Sequence, residues 1–311
     1  MLSVLTEPNY PKAAIGLERD AVTAIALERE GRGQFGVRQA ATVDLPTNLL
    51  TPSFLEKNIA STEELRVLLE DVVVSAGLMS QKNWSVSLPS NTARTVILTL
   101  ENGTAGKGET EEILDWKAEQ SFGAPAAELR VTRHQISNDR EGRSRYFATA
   151  VKLSVIDEYE RVFESLGWTA GLILPRAVSE TKWLLGNGQH VDSLLLSSQN
   201  DGFTAMLLRG DEPAVIRTVT CSANERDDEV YRLLMFYNDR FADSQVGGVL
   251  ENLLVVGKDM LASRIREIST EALGRTLRIL GAEDVGLYLP AGNLRFDDLA
   301  APAGLASLGW R

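Results

Sequence analysis

The residues best placed to do chemistry lie in a turn near the start of the chain. The stretch 13–27 reads AAIGLERDAVTAIAL. Ile15 and Leu17 alternate with small residues, Glu18, Arg19 and Asp20 break the run, and Val22, Ile25 and Leu27 resume it. That is the pattern of a strand, a tight polar turn and a second strand. Chains that open in this way often hold a nucleotide phosphate in the first turn. The job needs glycines, so that the backbone can come close, and a carboxylate within reach of Mg²⁺. Here the turn offers Glu18, Arg19 and Asp20 instead, so the fold signal is present without the phosphate chemistry.

Other candidates are thinner. Gly103–Gly108 reads GTAGKG and has a Walker-like look, but two residues separate its first glycine from the Gly-Lys pair. A working loop has four and ends in Ser or Thr. It reads as a connector between a hairpin and a helix. The two histidines, His134 and His190, stand far apart with no ligand partner at helical spacing, so no metal is expected. No G-x-S-x-G nucleophile elbow occurs. Cys221 has no histidine near it in sequence and reads as a lone buried thiol. Glu225, Asp227, Asp228 and Glu229 crowd a helix start, where carboxylates complement the helix dipole.

Composition narrows the classes. The 311 residues are enough for two domains and a sizeable core; 44% are hydrophobic and 24% charged, an ordinary globular balance. A formal net charge of −11 argues against nucleic acid and against direct adhesion to an anionic membrane. One cysteine excludes an internal disulfide framework and fits a reducing compartment. No apolar run approaches the roughly 20 residues that a bilayer needs. The N-terminal MLSVLTEPNYPK lacks the layout of a signal peptide, and its two prolines suggest a loose arm over 1–12.

The elements that must position the first turn follow in order. A third strand over 35–43 completes a meander. Ser61 and Glu64 have capping-box spacing before a helix whose apolar face is Leu65, Leu68, Leu69, Val72, Val73 and Ala76. Strands are expected over 84–88, 95–100, 129–136 and 145–152, with helices over 109–122 and 154–166. A strand over 169–174 and a helix near 177–185 lead to a break at 186–189. Beyond it the strand–turn–strand–turn–strand pattern returns over 193–219, a weak internal duplication of pattern. A helix over 225–241, a buried strand over 253–256 ending at Gly257, a helix over 261–273 and a closing apolar segment over 297–310 complete the chain.

Two halves that each open on a three-strand meander resemble the actin-like ATPase superfamily. Within it the chain resembles the type IV pilus assembly protein PilM family, with the cytoplasmic domain of GspL as a cousin. The resemblance runs from Ala13 to Trp310. AIGLERDAVTAIALE sits at the family's first phosphate hairpin and DSLLLSSQNDGFTAMLLRGDEPAVIRTV at its second. NLLVVGKDM resembles the strand and glycine turn that touch the adenosine, and FDDLAAPAGLASLG the closing helix. VSLPSNTARTVILTL, the EEILDWKAEQSFGAP helix and YFATAVKLSVIDEYERVFESLGWTAGLI resemble the inserted subdomain. The resemblance implies an actin-like (ribonuclease H-like) α/β fold. Its expected division is a first domain over 13–83 and 170–187, an inserted α+β subdomain over 84–169, and a second domain over 188–311 lacking most of the adenine-clamping subdomain. The two helices of the insert are expected on one face of their own small sheet.

The departures bear on function. The family's Asp-x-Gly of the first turn falls on Gly16 and Glu18, beside Arg19 and Asp20. None is found near Ser198 to Asn200. Paired glycines are replaced by Gly257, Lys258 and Asp259. The resemblance therefore implies vestigial nucleotide turns, no catalysis and no cofactor: a pseudo-ATPase. The expected role is a cytoplasmic scaffold at the inner face of the cytoplasmic membrane, without membrane insertion. It would bind other pilus components and, in a groove between the first domain and the insert, the short cytoplasmic tail of an inner-membrane PilN-like partner. Two alternatives stand beside it. An active ATPase would need Glu18 and Asp20 to hold Mg²⁺ for ATP. A GspL-like type II secretion component would carry a transmembrane helix beyond Arg311.

Overall fold

Ile15, Leu17, Val22 and Ile25 have no exposed surface, because the meander they open lies inside a sheet rather than at its rim. The computed structural model describes residues 9–101, 107–185, 191–241 and 249–310. In chain order its elements begin with strands β1 (Ala13–Leu17), β2 (Ala21–Gly31) and β3 (Gln34–Asp44), helix α1 (Thr62–Ser75), strands β4 (Asn83–Leu88) and β5 (Arg94–Leu100) and helix α2 (Lys107–Phe122). Strands β6 (Leu129–Ile136) and β7 (Ser144–Lys152), helix α3 (Leu153–Ser165), strand β8 (Thr169–Pro175) and helix α4 (Arg176–Thr181) follow. Next come strands β9 (Asp192–Gln199), β10 (Gly202–Arg209) and β11 (Glu212–Thr220), helix α5 (Arg226–Phe241) and strand β12 (Leu250–Val256). Helix α6 (Ala262–Leu273), strands β13 (Arg278–Ile279) and β14 (Leu287–Tyr288) and helix α7 (Phe296–Leu308) close the chain. The chain forms two compact units: Met1–Thr92, Asp157–Trp183 and Ala282–Arg311 in one, Ala93–Ile156 and Leu184–Gly281 in the other.

The first unit is built on a six-stranded sheet of order β14-β3-β2-β1-β4-β8. Its meander is antiparallel, with Ile15 opposite Ala24; β4 then runs parallel to β1, with Ile15 opposite Val86, and β8 parallel to β4. β2 is buried on both faces up to Leu27 and emerges at Glu28–Glu30, since helices α1 and α7 pack on it. α1 forms as its capping residues require: Ser61 Oγ accepts from the Glu64 amide at 3.2 Å, while Leu65, Leu69, Val72 and Val73 face inward. α7 is buried along 299–307 and has no polar face there. It comes so close to β1 that a Cβ on Gly16 would lie 2.9 Å from Pro302.

The second unit repeats the plan. Its five-stranded sheet has the order β11-β10-β9-β12-β13. β9, β10 and β11 form an antiparallel meander, and β12 runs parallel to β9. Val230, Leu233, Leu234 and Tyr237 of α5 join Leu194, Leu196, Phe203 and Leu253 in one core. The unit also carries a three-stranded antiparallel sheet, β5-β7-β6, with α2 packed on β5. This small sheet is tied to the β10–β11 hairpin. Arg145 donates to the carbonyls of Pro213 and Ala214 at 3.2 and 3.3 Å, and the Ser137 amide and hydroxyl donate to the Glu212 carboxylate at 3.0 and 2.9 Å.

Four boundaries differ from the expectation. The small sheet starts at Arg94 rather than at 84, because Trp84–Leu88 forms the inner strand β4 of the main sheet. From Asp157 onward α3 belongs to the first unit, not to the small sheet. Tyr159 donates to Asn58 Oδ1 at 3.1 Å, Glu158 accepts from the amides of Asn58 and Ile59, and Phe163 meets Trp168, which in turn packs on Trp84. α3 also begins at Leu153, so Ser154 lies inside its first turn rather than capping it. Lastly, 282–310 lies with the first unit rather than the second half: Leu287 pairs with Phe35, and Trp183 Nε1 donates to the Ala300 carbonyl at 2.7 Å. Of the arm expected over 1–12, residues 9–12 are described: Pro11 lies against Gly171 and accepts from Ser85, and Lys12 sits 3.8 Å over the Trp310 ring. Residues 1–8, the break at 186–189 and Arg311 lie outside the described residues.

Candidate functional site

The first turn closes when the Glu18 amide donates to the Ala21 carbonyl at 2.9 Å, and the Leu45 amide donates to Asp20 at 2.7 Å. Arg19 and Asp20 are exposed and Glu18 is half-buried. α4 starts directly after β8, two strands away in the same sheet, and its first residue reaches this turn. Arg176 Nη1 donates to Glu18 Oε2 at 2.9 Å and Nε to Glu180 Oε1 at 2.7 Å. Arg176 is 9% exposed and Glu180 not at all. Burial pushes the Glu18 carboxyl up to about 7; the Arg176 charge pulls it down, while Glu180 and Asp20 push it further up. Burial disfavours the Arg176 cation, but its two carboxylates outweigh that and hold it above the ordinary guanidinium range. A carboxylate engaged by a guanidinium is a poor ligand for Mg²⁺, and the turn has no glycine to bring the backbone near a phosphate. Gly16 is used otherwise, since Pro302 occupies the space of its side chain.

The second and third turns lie in the second unit and the structure brings them together. Gly257, at φ +129°, approaches Ser198 so closely that an added Cβ would collide with the Ser198 Cβ. Arg226, the first residue of α5 and 4% exposed, spans both turns. Its Nη2 donates to the Gln199 carbonyl at 3.1 Å and its Nη1 to the Asp259 carbonyl at 3.3 Å. Gln199 Nε2 donates to Thr204 at 2.5 Å, and Gly202, at φ +144°, turns the chain against Val219. Ser198 is buried and Asn200 is exposed beyond this cluster. Each unit thus places a buried arginine on the backbone or carboxylate of its own turn.

Sequence reasoning missed Arg176, Glu180 and Arg226. The signal for the first pair was their i, i+4 spacing in a short helix that follows an apolar strand. Arg226 was hidden in the acidic run that opens α5.

No protein-family model matches the chain, and no curated protein matches it in sequence. Solved structures do match. A chain of a PilM-PilN type IV pilus biogenesis complex superposes with a TM-score of 0.76 at 15% identity, covering 98% of this chain and 100% of its own. The cytoplasmic domain of EpsL, an inner membrane component of the Vibrio cholerae type II secretion system, superposes at 0.47 with 10% identity, covering 96% and 93%. A Bacteroides thetaiotaomicron protein with an actin-like ATPase fold superposes at 0.43 with 12% identity, covering 96% and 98%. The first likeness and the repeated meander-plus-parallel-strand plan decide the fold. The chain has the actin-like ATPase fold.

The other candidates of this actin-like chain have local explanations. Glu225 accepts from the amide and hydroxyl of Ser222 at 3.0 and 2.7 Å, which hold its carboxyl below the usual range. Asp227 pairs with Arg264 at 2.7 Å and Glu229 with Arg232. Cys221 is half-buried, and burial pushes its thiol up while Arg226 opposes the shift. His134 is exposed on β6 opposite Phe147. Gly103–Gly106 and His190 lie outside the described residues. Among the described residues, no three His, Cys, Asp or Glu side chains could hold a metal, and no helix is long and apolar enough to cross a membrane.

Proposed function

We propose that this chain is a PilM-like scaffold that works at the cytoplasmic face of an inner membrane and binds the short cytoplasmic tail of a PilN-like partner. What carries the reading is the whole-length likeness, at a TM-score of 0.76, to a chain from a PilM-PilN complex. The physics is compatible. A body with a formal net charge of −11 is repelled by an anionic leaflet, so a protein tether is the natural route to a membrane. An extended tail can be held by backbone pairing, with side-chain pockets adding selectivity. Nucleotide plays no part in this role. Arg176 and Arg226 are already hydrogen-bonded to the turns that a phosphate would need, and the Glu18 carboxylate would repel it.

The test is a calorimetric titration of the full chain with a synthetic peptide of the partner's cytoplasmic N-terminus, beside a scrambled peptide of the same composition. Saturable binding of the native peptide alone is expected, with little dependence on salt because rim charges contribute little. Equal heats from both peptides would sink the proposal.

A further inference from the structure

Of the five tryptophans, Trp84, Trp168 and Trp183 are buried and Trp310 is half-buried, whereas Trp116 on α2 is 59% exposed. α2 is fixed from its other side: Leu114, Ala118 and Phe122 recur every four residues and are buried where the helix packs on β5. Trp116 therefore stands on the outward face, in line with Glu112 and Glu109 four and seven residues before it. Side chains on a helix lean toward its N-terminus, so the indole shares its surface with exposed Glu112 and half-buried Ile113. The charges on this helix are unequal, five carboxylates against two lysines. Arg133 of β6 bonds to Glu111 at 3.3 Å and to Asp115, and Glu119 accepts from the Ala126 amide at 2.8 Å. Arg94 of β5 donates to the Phe122 carbonyl at 2.6 Å, and Lys152 of β7 pairs with Glu128 at 3.2 Å. Lys117 is half-buried and lies about 100° round the helix from Trp116. The outward line of Glu109, Glu112 and Trp116 thus presents an aromatic face beside exposed carboxylates.

We propose that the outward face of α2 is a docking surface for an arginine-bearing segment of a protein partner, with Trp116 as the stacking platform and Glu112 as its anionic neighbour. A guanidinium is the group that uses both. It stacks on an indole face and donates in a planar fork to a carboxylate, and an ammonium does neither as well. Exposed tryptophan is also the residue type on which binding energy concentrates in protein interfaces. A bilayer is the other surface that takes up tryptophan, but helices that lie on membranes set lysines and arginines beside it. The carboxylates of α2 repel an anionic leaflet, and they repel nucleic acid for the same reason. This surface is additional to the tail-binding role proposed above and does not depend on it.

The experiment is a titration of the full nitrogen-15-labelled chain with the peptide acetyl-Arg-Ala-Arg-Ala-Arg-amide, followed at the indole N–H signals. The same peptide with citrulline in place of arginine keeps the shape without the charge. Trp116→Phe assigns the Trp116 signal by its loss. That signal should shift saturably with the arginine peptide and stay in place with the citrulline peptide. Trp116→Ala keeps a good helix former at an exposed position. It and Glu112→Gln should each weaken binding about two- to fivefold, read at the α2 amides. Glu271→Gln, which removes an exposed acid of α6, should leave binding unchanged. Absence of a saturable shift at Trp116, or equal shifts from the two peptides, would overturn the proposal. So would an affinity unchanged in Trp116→Ala, or lowered as much by Glu271→Gln as by Glu112→Gln, since the arginines would then answer only the net charge of −11.

Discussion

Arg176 carries more of the first unit than its position in a six-residue helix suggests. It bonds to two carboxylates, one of them wholly buried. Removing one partner of a buried ion pair leaves the other as an unpaired charge, at a cost of about 3–5 kcal/mol. Arg176→Ala is therefore expected to lower the unfolding free energy read from urea denaturation by that order. Arg176→Lys should recover only part of it, because an ammonium cannot present two donors in the fixed fork that reaches both acids. A loss below about 0.5 kcal/mol, the range of an ordinary surface change, would show that the cluster is structurally idle. The same logic applies to Arg226, which is 4% exposed and answers two backbone carbonyls of the second unit.

The strand connections of the second unit need glycine for two separate reasons, conformation and space. Gly202 and Gly257 have φ of +144° and +129°, where side chains are strained, and an added Cβ at each would meet Val219 or Ser198. Gly257→Ala should thus destabilise by about 1–3 kcal/mol from backbone strain alone, with steric overlap adding to it. The check is a unit-2 probe such as amide exchange along β9 and β12, which should rise before that of β1 and β2. Uniform or absent change would contradict the close approach of β12 to β9. On α1, Ser61→Ala removes the bond from the Glu64 amide and should cost about 1 kcal/mol; Ser61→Gly should cost less, which a pair of melts would resolve.

For the whole molecule, the repeated sheet plan makes an actin-like frame, and in each unit a buried arginine is hydrogen-bonded to a turn of its own meander. Mg-ATP at millimolar levels is expected to leave the melting temperature unchanged. A ligand at 100 times its Kd would stabilise by about 2.7 kcal/mol, easily seen as several degrees. A rise with Mg-ATP but not with Mg²⁺ alone would return the active-ATPase alternative to first place. The proposed scaffold role and the expected lack of nucleotide binding stand or fall separately, since the peptide titration does not depend on nucleotide.

Local pattern settled much of this protein. The alternation over 13–27 and 193–219 specified both meanders, and the spacing of Leu65, Leu69, Val72 and Val73, or of Val230, Leu233, Leu234 and Tyr237, specified helix faces that are indeed buried. Burial imprints a period on the chain wherever one face meets a core, and a period can be read without knowing the partner. What the period does not carry is the partner's identity. Trp84–Leu88 reads as a strand in either sheet, and only its pairing with β1 and β8 places it in the first unit. The closing segment FDDLAAPAGLASLG is apolar on every side from Leu299 on, so nothing in it told which half it would cover; Gly16, Ser179 and Trp183 decide that by fitting against it. The charge cluster is the extreme case. Glu18 and Arg176 are 158 residues apart, and opposite charges at that separation leave no mark on composition or spacing. Only the sheet, by laying β1 beside β4 and β4 beside β8, sets the turn and α4 within hydrogen-bonding reach.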